Sequence, residues 1–588
     1  YHTGDGGTSN TIYGKDAGVA LASGGTQNVF LGHNAGEGIT TADDNVAIGY
    51  NAFYRATTSA DKNVAIGSNA MSGTFSDGTN DVDSCVIIGY DAGSGVLAAG
   101  ASGLVAIGHQ AGKSITSGTE NTAIGYAALT GHAGGDKNTA IGYGAMDGTG
   151  AGTVKDSDNN IAIGYNTMGG TWANDKCENN IAIGNYSMDG TMDNSGSNVA
   201  IGNSSMSGNM DECNYNVAIG QSAGAGLLTG ASNGLIGYAA GDAMTNNQYS
   251  VAIGANALGS MDGDEHYNVA IGSGAGRAIN QGNADENVII GYEAGVGGDG
   301  GALSKCVIIG TNALNSSDTA THSGSVVIGH NAGTAINSND ASGSVLIGQD
   351  CGTAITDGSQ NVMIGYQAGV DSTGGGNNVY IGYLAGANTT QAGQNVLIGY
   401  RAGHGKLDGS EAWTGDYNVI IGHDAGLLVE GNSSNHNTLV GFETGKNLTS
   451  GAENTCVGSE CGEAIDGGSN NTMIGYNCDV AASDRADTIC IGKDITSAAN
   501  SHARLGNGSY YAELNFTTSS NSWSSTSDIR IKKDVVDGDL GLEFVNKLRT
   551  IKYKDKPSSE WSDELKSGMK VEAITSESSN VVQDGFVA

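Results

Sequence analysis

The side chains that could do chemistry are plentiful, and their spacing organises little of it. Nine cysteines invite disulfide, metal or thiolate chemistry, 61 acidic residues could supply the carboxylate pair of a glycosidase, and 11 histidines could serve as bases or ligands. The patterns that such chemistry needs are missing. There is no convincing GxxxxGK(S/T), GxSxG, HExxH, CxxC or EF-hand loop, no GGxGxD calcium repeat, and Cys456 to Cys461 is a C-x4-C without companions. Acidic residues are scattered through nearly every interval, so no carboxylate pair stands out. The reading is therefore no cofactor, no metal and no enzyme, apart from one self-directed reaction considered below.

What recurs is a short core, as in NVAIGYNAF from Asn45 to Phe53. Aligned on its glycine it occurs 27 times from Gly14 to Gly492, spaced 17 to 23 residues apart and most often 17. A fixed period of this size marks a solenoid, whose coils bury their apolar faces only by stacking. One residue before the glycine stands Ile in 23 copies, and three before it usually Val, Ile or Thr, a β-branched run that reads as a strand. Alternation places its first and third residues, Val46 and Ile48, on one face, which we assign to the stacked seam. Asn occupies the position four before the glycine in 20 copies, reading as a turn with an amide ladder. In the core around Asn45, Gly49 bends the chain and Ala52 belongs to a small column that implies close approach of a neighbouring backbone, within the coil or from another chain. Tyr50 joins a column of 11 tyrosines and 4 histidines just after the glycine, either an aromatic ladder along the coils or a stripe for stacking sugars.

Seen as elements, this is a shaft of about 27 short-strand coils, all-β and parallel, a β-solenoid or β-roll. At the inter-strand spacing of ~4.8 Å it would extend ~130 Å. A coil of 17 residues has little interior, so an intertwined or side-by-side homotrimer is the expected way to supply a core. With 98 glycines but 1 proline and no G-X-Y period, the chain is not collagen, and its regular Val, Ile and Leu exclude a disordered tail. The net charge of −36 argues against nucleic acid and anionic bilayers as partners, and no apolar run is long enough to cross a membrane as a helix. The chain opens on Tyr1, which implies processing or a fragment. The cysteines read as small apolar substitutes: Cys351, Cys461 and Cys478 in the small column, Cys85 and Cys306 at the Asn position, Cys456 and Cys490 in strands, Cys177 and Cys213 in loops. Free thiols suit assembly in a reducing cytoplasm better than export.

The core resembles the head repeat of trimeric autotransporter adhesins of the YadA type, and more closely the repeats of phage and large-virus fibres, over about Asn10 to Gly492. That resemblance implies a left-handed parallel β-roll in a trimer, although the usual spacing here is longer than the adhesin coil. After Gly492 the composition changes. From Ser501 onward come 11 of the 25 basic residues and the single proline, Pro557. We divide the chain into a shaft (1–492), a neck (493–526) and a small α+β C-terminal domain (527–588). Leu542, Val545 and Leu548 have helical spacing, and Ile551 to Lys554 alternate like a strand. The stretch from Ser524 to Lys556 resembles the opening of the S74 intramolecular chaperone domain that ends endosialidase tailspikes and many viral fibres. The family's later G-x-I-A-Q-E-V segment is not recognisable. The resemblance implies a Ser527–Lys532 dyad cutting the Thr526–Ser527 bond; on the residues alone, Ser527 caps a turn with Asp528 and Lys532 is a solvated charge.

The expected function is a structural fibre on the virion surface of a virus or phage. Its partners are itself, other virion proteins and a host receptor, glycan or protein, with trimer assembly aided by the C-terminal domain. The alternative is a bacterial cell-surface adhesin or extracellular filament, and a depolymerising tailspike stands third.

Overall fold

The computed structural model describes residues 8–517 apart from short intervals at 56–59, 75–81, 96–100, 149–156, 174–175, 281, 283, 298–301, 316–321, 337–341 and 406–412. Beyond these it describes the strands Ser524–Ser525, Arg549–Lys554 and Val582–Val587. The chain forms two compact units, Tyr1–Trp523 and Ser524–Ala588.

Each of the 27 glycine-anchored copies contributes one short strand, from Thr11–Tyr13 through Val46–Ile48 to Ile489–Lys493. Neighbours pair in parallel with no register shift: Val46 lies beside Val64, Ala47 beside Ala65 and Ile48 beside Ile66. The first unit is thus a parallel β-solenoid in which each column stacks on itself, and no helix occurs among the described residues. The anchor glycines continue the ladder, as where Gly49 N–H donates to the Leu31 carbonyl at 2.9 Å and Gly67 N–H to the Ile48 carbonyl at 2.8 Å.

Inside and outside are the reverse of the expected assignment. The middle residue of each strand points inward: Ala47, Ala65 and Ile87 are fully buried, whereas Val46, Ile48, Val64 and Ile66 remain partly exposed. Alternation correctly separates two sets of side chains, but a coil this narrow admits the single middle residue rather than the bulkier flanking pair.

The interior is filled by a volume rule that spans the glycine. Where the middle strand residue is Ala, the residue four after the glycine is large and buried, as in Ala47 with Phe53, Ala65 with Met71, Ala123 with Leu129 and Ala200 with Met206. Where the middle residue is large, that later position is usually glycine, as in Phe30 with Gly36, Ile87 with Gly93, Tyr380 with Gly386 and Leu439 with Gly445; Ile308 with Leu314 is an exception, with both buried. A Cβ on Gly36 would lie 2.7 Å from the Phe30 ring, and one on Gly93 would lie 2.8 Å from Ile87. When both are small, as in Ala106 with Gly112 and Ala270 with Gly276, Ile115 and Ile279 fill the space from three residues further on. Neighbouring rungs share this filling, since a Cβ on Gly276 would lie 2.8 Å from Leu258 and 3.2 Å from Ile289, and the interior is close-packed along its length. A single chain buries a continuous apolar row, so the premise that a lone coil lacks a core does not hold.

The repeat also extends beyond its expected end. His502–Asn507 adds another parallel strand, with Gly506 beside Gly492, and Tyr510–Asn515 folds back on it antiparallel. Here the spacing drops to 14 residues and Leu505 replaces Ile, so the period is lost before the sheet is. In the second unit, Arg549–Lys554 pairs antiparallel with Val582–Val587, placing a strand where alternation at Ile551 to Lys554 indicated one. The helix expected over Leu542 to Leu548 lies outside the described residues.

Candidate interaction surface

The columns of the repeat take distinct physical roles. At the anchor glycine φ is 135° for Gly49 and 134° for Gly67, a region that side chains rarely enter. A Cβ on Gly49 would sit 2.4 Å from the Gly67 carbonyl oxygen, and the same collision recurs down the column. Glycine is needed here because consecutive backbones pass carbonyl against Cα. Asn45 is fully buried: its Oδ1 accepts from the Asn63 backbone N–H at 2.9 Å, and its own N–H donates to Asn28 Oδ1 at 2.9 Å. Further along, Asn198 donates through Nδ2 to Asn180 Oδ1 at 3.1 Å and to the Cys213 carbonyl at 2.7 Å. The amide ladder is present, but the left-handed residue of this turn is the one before the Asn: Asp44 has φ 60° and Lys62 60°. Ala52 is buried within its own coil, so its smallness answers an intrachain contact.

All nine cysteines are buried and outside any disulfide, including Cys177 and Cys213, which line the coil interior rather than a solvent loop. Burial pushes the Cys85 thiol up to about 11 and those of Cys213 and Cys351 up to about 12, which keeps them protonated and unreactive. Cys461 and Cys478 share a hydrogen bond, which raises the first and lowers the second. Among the described residues no cluster of His, Cys, Asp and Glu could hold a metal ion.

The outward-facing columns make the one extended surface common to all rungs. The Tyr column stacks along the solenoid as a ladder: Tyr90, His109, Tyr126, Tyr143 and Tyr165 follow one another at 5.2, 4.8, 4.8 and 5.2 Å between ring centroids. A second run joins Tyr366, Tyr383, Tyr400, His423 and Phe442 at 5.4, 5.1, 4.7 and 5.3 Å. Because ring faces meet ring faces, each run turns ring edges to solvent and leaves no platform for a sugar except at its ends. Arg401 lies over the Tyr400 ring at 5.0 Å and pairs with Asp424 at 2.6 Å, locking the second run laterally.

A second aromatic column escaped the sequence reading. Tyr215, Tyr249, Tyr267 and Tyr417 stand five before the glycine, exposed and left-handed, with Tyr249 stacked on Tyr267 at 5.3 Å. The signal was four tyrosines at one register position. Between the two columns, no charged residue stands at an outward position of the strand face in any rung before Lys493, the rungs from Ile181–Ile183 to Val269–Ile271 included. Here Ile183, Ile219, Ile236, Ile253 and Ile271 are 36–40% exposed, in a chain of net charge −36. That six-rung stripe is apolar and unpartnered within the chain.

Ser527, Lys532 and the Thr526–Ser527 bond lie outside the described residues. No family model, no curated protein and no solved structure matches this chain.

Proposed function

We propose that the protein is a structural fibre of a virus or phage particle, projecting from the virion surface to present a long face for host attachment. The observation that carries this reading is the unbroken, in-register column structure: the constant residues of the repeat are used to hold one rung on the next. A rod that repeats one coil supplies reach and area rather than a reaction centre. The host receptor, a glycan or a surface protein, then meets the exposed columns and the variable intervals between coils.

The fibre is a homotrimer in this account, and the uncharged stripe from Ile181 to Ile271 supports such lateral association. Residues 527–588 act as the registering and chaperone module, since three long parallel chains must start together. Ser527 and Lys532 are the residues that a self-cleaving dyad of this module would use, and other virion proteins anchor the fibre. Buried free thiols favour this reading over an exported adhesin.

Electron microscopy of the source particle with an antibody to the shaft tests the assignment: labelled projections are expected, and label confined to the host cell surface overturns it. Sedimentation of the intact chain tests the trimer, which a monomer mass refutes. Comparing the masses of wild type and Ser527→Ala tests the dyad, and identical full-length products show it inert.

A further inference from the structure

The aromatic ladder has a gap of one rung with a ring on either side. The column runs His33, Tyr50, Ser68, Tyr90, His109, and its backbone register is unbroken through the gap, since Asn69 N–H donates to the Tyr50 carbonyl at 2.9 Å and Asp91 N–H to the Ser68 carbonyl at 3.0 Å. Tyr50 and Tyr90 therefore stand two rungs apart, about 9.6 Å at the usual strand spacing. Single-rung gaps also occur at Thr311, Gln349 and Ser459, but among the described residues the gap at Ser68 alone has a stacked ring behind each of its walls.

Both walls are braced from behind. His33 stacks on the far face of Tyr50 at 5.5 Å with 8° between the rings, and His109 on the far face of Tyr90 at 5.2 Å with 17°. Ser68 forms the floor. Partly exposed Ile66 lies two residues before Ser68, and Asn69 follows it, donating to Asp91 Oδ1 at 3.0 Å.

We propose that this slot between Tyr50 and Tyr90 binds one planar heteroaromatic ring bearing a cationic group, which takes the place of the missing rung in the ladder. The ring would stack between two held phenols, at the spacing that the ladder already uses. Its apolar edge would lie over Ile66 and its amine beside Asp91, and the net negative charge of the chain favours a cation there. Holding the walls before the ligand arrives removes part of the ordering cost. Among the other single-rung interruptions, Ser459 lies between Phe442 and Tyr476, but there the Tyr476 hydroxyl is tied to Glu460 and a lysine, not a ring, backs it.

Such a ring could belong to a free amine or to a tryptophan beside lysine in a partner protein. Calorimetric titration of the full chain with tryptamine, with the peptide Lys-Trp-Lys, and with 2-cyclohexylethylamine separates these sources. Tryptamine is expected to bind at least tenfold tighter than the cyclohexyl amine; a peptide tighter than tryptamine points to a protein partner, and a weaker one to a free amine. Ser68→Tyr, which completes the ladder, is expected to weaken tryptamine binding at least tenfold. Tyr50→Leu and Tyr90→Leu, at exposed positions and adding no bulk to the slot, are expected to weaken it severalfold, and Tyr238→Leu, at an unstacked tyrosine of the same column, to leave it unchanged. Equal binding of the two amines, no binding of tryptamine, or full binding by both leucine variants would overturn the proposal.

Discussion

The inner and outer faces of the same three-residue strand follow different rules. Inside, Ala47, Ala65 and Ile87 are fully buried and their size is matched against close neighbours, chiefly the residue across the glycine. Outside, Val46 and Ile48 lie beside their equivalents Val64 and Ile66 without enclosing anything, and the column of Tyr50 tolerates Ser68, Ala255 or Lys493 in the place of Tyr. Constancy at the outer Ile column thus reflects repetition along the rod, whereas variation in the inner column is compensated.

The largest effect is expected where neither face can adjust. Gly365→Ala would put its Cβ 2.2 Å from the Gly382 carbonyl oxygen at a φ of 143°, and chemical denaturation should show a loss of about 3 kcal/mol or more. Wild-type stability in that variant would mean that the rungs are not in carbonyl contact. Next comes the buried amide ladder: Asn198→Ala removes bonds to Asn180, Cys213 and Asn216 and should cost about 2–3 kcal/mol by the same measurement.

The volume rule is sharpened by a double-mutant cycle. Ala65→Leu overfills its rung and should cost about 1–3 kcal/mol, while the same change with Met71→Gly should recover most of that loss. Additive losses would show that the two positions do not share space. Smallest for the isolated chain is Ile236→Ser on the apolar stripe, expected within about 0.5 kcal/mol of wild type in a dissociated monomer. If the stripe carries the trimer contact, the same variant shifts sedimentation toward monomer, and unchanged association removes the stripe from that contact.

Much of this organisation is legible in the sequence because a solenoid writes its contacts as columns. The parallel strands, the anchor glycine, the Asn ladder and the Tyr column are each visible from repetition alone. The orientation of the strand is not: Val46-Ala47-Ile48 alternates equally well with either set inside, and the choice depends on Phe53, which sits outside the strand and becomes informative only once the coil closes. The left-handed position before each Asn is hidden for a similar reason, since Asp44, Lys62 and Glu120 share a conformation but no chemistry. The rung at His502–Asn507 was missed because its spacing and its Leu505 depart from the period while its backbone pairing does not. The aromatic slot at Ser68 is an absence in a column, which a search for recurring residues passes over.

The most direct test is a cryo-electron microscopy map of the isolated shaft at side-chain resolution. This account expects 27 glycine-anchored rungs about 4.8 Å apart, with Ala47 and Phe53 inside and Val46, Ile48 and Tyr50 outside. A map with Val46 and Ile48 inside, or with strands not stacked rung on rung, would contradict it.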